Sequence, residues 1–160
     1  NNLLEAQIPQ ELIWQRPNPV DEEIYHFDRS QRDQLRAKLT PFSSEDSVIL
    51  SVAQFMPRKN QAFLVECFKH LSDNFKLLLC GPIVNSGPFA ERDKAYLKSI
   101  ERTVNEYGLN HRVVLQPGFV KDMASLYKLA DVFAFPSLED ALGPPMLEAI
   151  ACGTPVVANY

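Results

Sequence analysis

Cysteine and long apolar runs are both scarce in this 160-residue chain, which holds three cysteines. No two of them form a Cys-x-x-Cys pair, and their odd number favours buried, reduced thiols over a disulfide framework. Reduced thiols are typical of a reducing compartment, so we expect a cytoplasmic location. The longest apolar runs are too short to cross a bilayer, so any membrane contact of the whole protein would be peripheral.

The chain also lacks an excess of basic residues. It carries 16 basic and 20 acidic side chains, for a net charge of −4. Electrostatic binding of nucleic acid needs a basic face, so we expect no nucleic-acid partner. The three histidines show neither metal-ligand spacing nor a nucleophilic partner, and we assign none of them to catalysis. With 46% hydrophobic and 22% charged residues, the composition is that of a soluble globular protein.

Short apolar segments alternate with helical segments along most of the chain. We predict strands at 47–54, 75–80, 113–116, 131–135 and 155–158. We predict helices at 60–71, with Asn60 as N-cap, and at 91–107, 123–129 and 145–151. The strands are uniformly apolar, which favours a parallel sheet covered by helices on both faces. The expected fold is therefore α/β, a Rossmann-like doubly wound sheet of about five strands, which binds ligands beyond the carboxyl ends of its strands.

The segment from 135 to 157 carries the residues most suited to chemistry. A helix beginning at Pro145 would offer free N–H groups and a positive dipole end to an anion. Glu148 is predicted in the first turn of this helix, and Asp140 in the loop before it. Carboxylates accept hydrogen bonds from sugar hydroxyls, so an anion site flanked by these two side chains suits a sugar nucleotide.

This segment also resembles a known family. Residues 136–157 read PSLEDALGPPMLEAIACGTPVV, which is similar to the signature of the family-4 glycosyltransferases. These are retaining enzymes of the GT-B fold, which has two Rossmann-like domains. Other segments resemble the family in order and spacing, namely 17–21 (PNPVD), 52–60 (VAQFMPRKN), 79–82 (LCGP) and 126–133 (LYKLADVF).

The resemblance implies one half of a GT-B enzyme. Residues 47–160 would be the nucleotide-sugar-binding domain, incomplete at its C-terminus, and residues 1–46 a linker arriving from a missing N-terminal domain. The implied reaction is retaining transfer of a hexose from a nucleoside diphosphate sugar, without a metal or other cofactor. The acceptor would be a sugar, a lipid-linked sugar or a protein, bound through the missing domain. We expect the fragment alone to be inactive.

The resemblance also implies roles for individual residues. Lys59 would stabilise the departing diphosphate, and Asp140 would meet the transferred sugar; these are the two catalytic candidates. Glu148 would hold the ribose hydroxyls. Gly81 would let the donor approach the backbone, and Phe119 would lie beside the nucleotide base.

The remaining donor-binding candidates are Gln54 and the amides of Leu142 and Gly143, which would line the sugar and phosphate pocket. Three positions depart from the family pattern. Gln54 stands where the family has arginine, and Asp140 is one methylene shorter than glutamate. Pro144 replaces a residue that offers an N–H toward phosphate. These departures leave two alternatives open: a degenerate, non-catalytic module of the same fold, and one half of a nucleotide-sugar epimerase.

Overall fold

The structure is a computed structural model that describes residues 6–13, 18–140 and 143–159. Within these ranges the helices are α1 (Arg32–Leu39), α2 (Gln61–Phe68), α3 (Ala90–Glu106), α4 (Met123–Leu129) and α5 (Pro144–Ala151). The strands are β1 (Ser47–Val52), β2 (Phe75–Gly81), β3 (Val113–Pro117), β4 (Val132–Phe135) and β5 (Val156–Ala158). Two 3-10 helices, Gln10–Leu12 and Pro57–Lys59, complete the regular structure of these ranges.

The strands form one parallel sheet in the order β3-β2-β1-β4-β5. This confirms the predicted α/β, Rossmann-like sheet of five strands. The chain runs outward from β1 to β3 and then returns to place β4 on the other side of β1. The crevice between the carboxyl ends of β1 and β4 is therefore the switch point at which such sheets bind ligands.

Apolar residues cover both faces of the sheet. Successive strand residues point to opposite faces, so Leu77 and Leu79 pack with α2 and α3, whereas Leu78 and Cys80 pack with α4 and α5. All four side chains are buried. The uniformly apolar strands of the sequence are explained by this two-sided burial.

Part of the segment before residue 47 shares this core. Arg36 of α1 is fully buried and donates to the carbonyl of Leu129 at 2.9 Å and to the carboxylate of Asp131 at 3.0 Å. Asp131 also accepts from the amide of Val48 at 2.7 Å. Arg32 of α1 also pairs with Asp131, so two ion pairs fix α1 to the beginnings of β1 and β4, at the end of the sheet opposite the switch point.

Asn60 occupies the N-cap position of α2, as predicted. Asn60 precedes the helix, but its side chain makes no capping hydrogen bond, and its backbone is left-handed with φ of 57°. The cause is the 3-10 helix Pro57–Lys59, which closes when the amide of Asn60 donates to the carbonyl of Pro57 at 3.0 Å. This turn directs the chain into α2 without a side-chain cap.

Candidate functional site

The loops that follow β1 and β4 meet at the switch point. The amide of Leu138 donates to the carbonyl of Arg58 at 3.0 Å, and the hydroxyl of Ser137 donates to the same oxygen at 3.4 Å. Both loops leave the carboxyl ends of central strands, so their side chains project into the same crevice. The hydrogen bonds hold the two loops in a fixed relation.

Lys59 and Asp140 form an ion pair in this crevice, although they are 81 positions apart in the sequence. Lys59 ends the 3-10 helix after β1, and its Nζ lies 5.4 Å from the centroid of the Phe135 ring. The two charged side chains are 15% and 23% exposed, so a ligand in the crevice can reach both. The structure thus brings together the two residues to which the family resemblance assigns catalysis.

The carboxyl group of Asp140 is kept ionised by its neighbours. Burial raises its pKa, but hydrogen bonds from Lys59 and Ser137 and the charges of Lys59 and Arg58 outweigh burial. The net effect is a pKa below the ordinary value of 3.8. The carboxyl group therefore carries a negative charge at neutral pH and acts as a hydrogen-bond acceptor.

Two cavities open beside this ion pair. One, of about 370 Å³, is lined by Phe135, Ser137, Leu138, Glu139, Asp140, Met146, Ala158 and Asn159. The other, of about 340 Å³, is mostly apolar and lies between α2 and the ends of β4 and β5. Both volumes fall within the range of small-molecule sites, and the first contains the charged residues.

The amino terminus of α5 reaches the same crevice. The helix begins at Pro144, with Gly143 as its N-cap residue. Gly143 is buried, and a Cβ there would lie 3.0 Å from Cζ of Phe135, so the absence of a side chain allows this close packing. Leu142 lies outside the described residues.

The predicted position of Glu148 in the first turn of α5 is wrong. Because both prolines fit the first helical turn, the helix begins one residue earlier than expected, and Glu148 is its fifth residue. The helix dipole acts mainly within the first turn, so it contributes little to the stabilisation of this carboxylate. Glu148 is instead held by a tertiary contact, since its Oε2 accepts a hydrogen bond from the hydroxyl of Tyr127 at 2.8 Å.

Tyr127 is a residue that sequence reasoning missed. Its side chain is fully buried, and burial, then the hydrogen bond and charge of Glu148, raise its pKa far above the ordinary value of 10.0. The hydroxyl therefore stays protonated and donates to the carboxylate. A tyrosine among apolar residues in a short helix is typical of core packing, so nothing in the sequence pattern indicated this contact.

Gln54 is directed toward α3. Its Nε2 donates to Oδ2 of Asp93 at 2.8 Å, and its backbone carbonyl accepts from Gln61 at 2.9 Å. Asp93 is fully buried and also pairs with the guanidinium of Arg92 through bonds of 2.9 and 2.8 Å. The amide of Gln54 thus satisfies a buried carboxylate, a partner that sequence spacing did not indicate.

Gly81 ends β2 where this strand runs beside β1. Its φ is +147°, and a Cβ there would lie 1.9 Å from the carbonyl oxygen of Ala53. The amide of Ala53 donates to the carbonyl of Cys80 at 3.0 Å, so the two strands remain paired up to this point. The space above Gly81 is filled by the backbone of Ala53, the residue after β1, and the predicted role of Gly81 toward a donor stays a prediction.

Phe119 projects from the loop after β3 and is 90% exposed. It lines a cleft of about 380 Å³ at the carboxyl ends of β2 and β3, together with Pro82, Ile83, Asn85, Pro117 and Gly118. An exposed ring at the rim of a cleft offers a flat apolar surface for stacking.

Three further properties bear on the site. In residues 6–13, 18–140 and 143–159, no three histidine, cysteine, aspartate or glutamate side chains are grouped so that they could hold a metal ion. No helix in the same ranges has the length and apolar character needed to span a membrane. Cys67, Cys80 and Cys152 are free cysteines; Cys80 and Cys152 are buried, as predicted, whereas Cys67 is only half-buried.

Comparison with known proteins gives the family. The family described as "Glycosyl transferases group 1" matches residues 31–159. The chain belongs to this family. Among curated relatives, the serotype-specific mannosyltransferase WbdA of Escherichia coli is 29% identical over 146 residues, which cover 88% of this chain and 17% of WbdA.

A second relative is a GDP-mannose-dependent alpha-(1-6)-phosphatidylinositol monomannoside mannosyltransferase of Mycolicibacterium smegmatis. It is 27% identical over 159 residues, which cover 94% of this chain and 39% of that protein. The group 1 glycosyltransferase chain therefore spans less than half the length of these curated relatives.

The structure of Anabaena HepE in complex with UDP and glucose is similar to this chain. The TM-score is 0.81 at 26% sequence identity, and the match covers 97% of this chain and 40% of HepE. This likeness agrees with the Rossmann-like sheet described above and with its assignment to one half of a GT-B fold.

Proposed function

We propose that this chain binds the nucleoside diphosphate sugar of a retaining glycosyltransferase. The observation that carries the proposal is the Lys59–Asp140 pair at the switch point of the sheet, beside the amino terminus of α5. A lysine and a helix amino terminus suit a diphosphate, and a carboxylate suits sugar hydroxyls. Asp140 would meet the transferred sugar, and Glu148 the ribose.

In the proposed reaction the bond between the anomeric carbon and the diphosphate oxygen breaks. An acceptor oxygen then forms a bond to the same carbon on the same face of the sugar. The diphosphate leaves with the bonding electron pair and takes up the proton that the acceptor hydroxyl loses. Lys59 and the amino terminus of α5 would stabilise this growing negative charge without a metal ion.

The relatives support a nucleotide-sugar donor without fixing its base. One is named GDP-mannose-dependent, and HepE was solved with UDP and glucose. Both bases therefore enter the test of this proposal. We also propose that the acceptor binds outside this chain, that this chain alone turns over no donor, and that the protein acts in the cytoplasm, which suits its three free thiols.

A thermal-shift panel tests donor binding. UDP, GDP, ADP, their sugar conjugates and NAD are each added to the protein, because a ligand that binds only the folded state raises its melting temperature. We expect a rise with one family of nucleoside diphosphates and none with NAD. Lys59→Ala should abolish the rise.

Lys76 provides a matched control for Lys59. It is 14% exposed and pairs with Asp46 at 3.7 Å, but it lies at the beginning of β2, on the opposite edge of the sheet. Lys76→Ala should keep the full shift. Equal shifts for both variants, or no shift of the wild-type protein with any nucleotide, would contradict the proposed donor site.

A non-catalytic module is a second candidate, and the contact between Gln54 and Asp93 favours it. The amide of Gln54 is engaged by a buried carboxylate, where the family arginine would bring positive charge. If the site is only weakened, then Gln54→Arg, Asp140→Glu and Pro144→Leu should increase donor binding in the thermal-shift panel. No gain in any of the three variants would favour the non-catalytic module.

A further inference from the structure

Two tyrosines from different parts of the chain converge on the carboxylate of Glu148. Tyr127 of α4 donates to Oε2 at 2.8 Å. Tyr25 comes from the segment before α1, and burial, then the nearby charge of Glu148, raise the pKa of Tyr25. The two rings contact each other, with centroids 6.1 Å apart.

We propose that Tyr127 is a positioning residue that fixes the Glu148 carboxylate for the ribose hydroxyls of the donor, and that Tyr25 assists it. This inference rests on the proposed donor-binding function. It adds Tyr25, from the segment before the sheet, to the site. It also assigns the buried Tyr127 hydroxyl a role in orienting Glu148 as well as in packing.

The direction of the Tyr127 hydroxyl is fixed by its surroundings. Its ring is fully buried and packs edge-on against Phe133, with centroids 5.5 Å apart and planes at 72°. Tyr25 contacts the ring at a tilt of 59°. A ring held in this way cannot follow the carboxylate, so the carboxylate takes the orientation that the hydroxyl sets.

The hydrogen bond leaves capacity for a ligand. A carboxylate has about four acceptor positions, and Tyr127 occupies one of them on Oε2. Glu148 is only half-buried, and the proposal requires that its remaining positions accept from the ligand. A ribose diol brings two hydroxyl donors, which a correctly oriented carboxylate can accept together.

Positioning has an energetic consequence for binding. A glutamate side chain has several rotatable bonds, and a ligand that must immobilise it loses affinity. Because Tyr127 holds the carboxylate before the ligand arrives, we expect that loss to be avoided. Removing the hydroxyl should therefore weaken the ribose contact and leave contacts to the base and the diphosphate unchanged.

The test measures this contact separately from the rest of the ligand. Tyr127→Phe removes the hydroxyl and keeps the ring. UDP, GDP, ADP and their 2′,3′-dideoxy counterparts are titrated calorimetrically into the wild-type protein and the variant. We expect the variant to bind the ribose nucleotide about tenfold more weakly, a change of about 1.4 kcal/mol, and the dideoxy nucleotide as well as wild type does.

Tyr107→Phe is the matched control. The Tyr107 hydroxyl also contacts a glutamate, Glu66, at 2.7 Å, but this pair lies on the exposed surface of α2 and α3. The control should bind both nucleotides like wild type. Glu148→Gln should weaken only the ribose nucleotide, and adding Tyr127→Phe to it should cause little further loss, because the two residues act on one contact.

Each remaining outcome overturns a distinct claim. If Tyr127→Phe weakens both nucleotides equally, or neither, Tyr127 does not position Glu148. If wild type binds none of UDP, GDP and ADP, the proposed function itself fails, and the inference with it. Should Tyr127→Phe not fold, Tyr25→Phe takes its place, and an unchanged ratio of the two affinities in that variant overturns the inference.

Discussion

Gly81→Ala tests whether a glycine is needed at this position for close packing against Ala53 or for the approach of the donor to the backbone. In the structure a Cβ at Gly81 would lie 1.9 Å from the carbonyl oxygen of Ala53. Gly118 supplies a matched control, because its φ is also positive, at +127° against +147°, but a Cβ there would meet nothing within 4 Å. The two alanine variants therefore share the backbone strain and differ in the clash.

The magnitudes follow from these distances. Backbone strain of this kind costs about 1–3 kcal/mol, and it applies to both variants. At Gly81 the Ala53 oxygen must also recede by roughly 1.5 Å to reach an ordinary contact distance. Forcing extra atoms into packed structure costs about 1–3 kcal/mol. We expect Gly81→Ala to lose about 2–6 kcal/mol, a large share of a typical folding free energy of about 5–15 kcal/mol.

Urea unfolding followed by circular dichroism measures both variants against wild type. With a common m value, the midpoint of Gly81→Ala should lie below that of Gly118→Ala by the equivalent of about 1–3 kcal/mol. Equal midpoints would refute the reasoning from the Ala53 contact. If Gly81→Ala kept wild-type stability and lost nucleotide binding, the role toward a donor would be favoured instead.

Four further variants or treatments test other parts of the structure. Arg36→Met should lower the free energy of unfolding by about 3 kcal/mol in urea, because it leaves several carbonyls without their donor and removes one of the two arginine partners of Asp131. Asp140 has a pKa below its ordinary 3.8, so its ionised form stabilises the fold above that pH. This contribution to the free energy of unfolding is lost as the pH falls through the lowered pKa. In a series of unfolding curves at different pH values, Asp140→Asn should therefore lose less stability at acid pH than wild type does. Phe119→Ala should change the free energy of unfolding by no more than about 0.5 kcal/mol, since the ring is 90% exposed, and should weaken nucleoside diphosphate binding in a calorimetric titration. Burial raises the pKa of Cys80 to about 12, so iodoacetamide at mildly alkaline pH should label Cys67 in the native protein, and Cys80 only after unfolding, as peptide mass analysis would show.

The sheet could be predicted from sequence because its signals are local. A strand buried on both faces must be apolar throughout, and 77–80 (LLLC) and 132–135 (VFAF) meet this requirement in a few residues. The ends of helices were less predictable. The start of α2 depends on the 3-10 helix before it, and the start of α5 on which of two prolines begins the first turn.

The candidate site was predictable where a residue follows directly from a strand end. Lys59 and Asp140 come after β1 and β4, so the topology alone brings them to one crevice. The partners of Glu148 and Gln54 were not predictable. Tyr127 and Asp93 lie 21 and 39 positions from the residues they contact, and only tertiary packing brings each pair together.

The strand order also determines the stage of folding at which the crevice can form. Between Lys59 and Asp140 the chain contains α2, β2, α3, β3 and α4, and the ion pair needs β4 to be paired with β1. Contacts between segments so distant in sequence are intrinsically slow to form, because a long loop must close first. The crevice is thus absent from every partially folded chain in which β4 has not yet joined the sheet. A nascent protein emerging from the ribosome has no usable ion pair until nearly all of these residues have been synthesised.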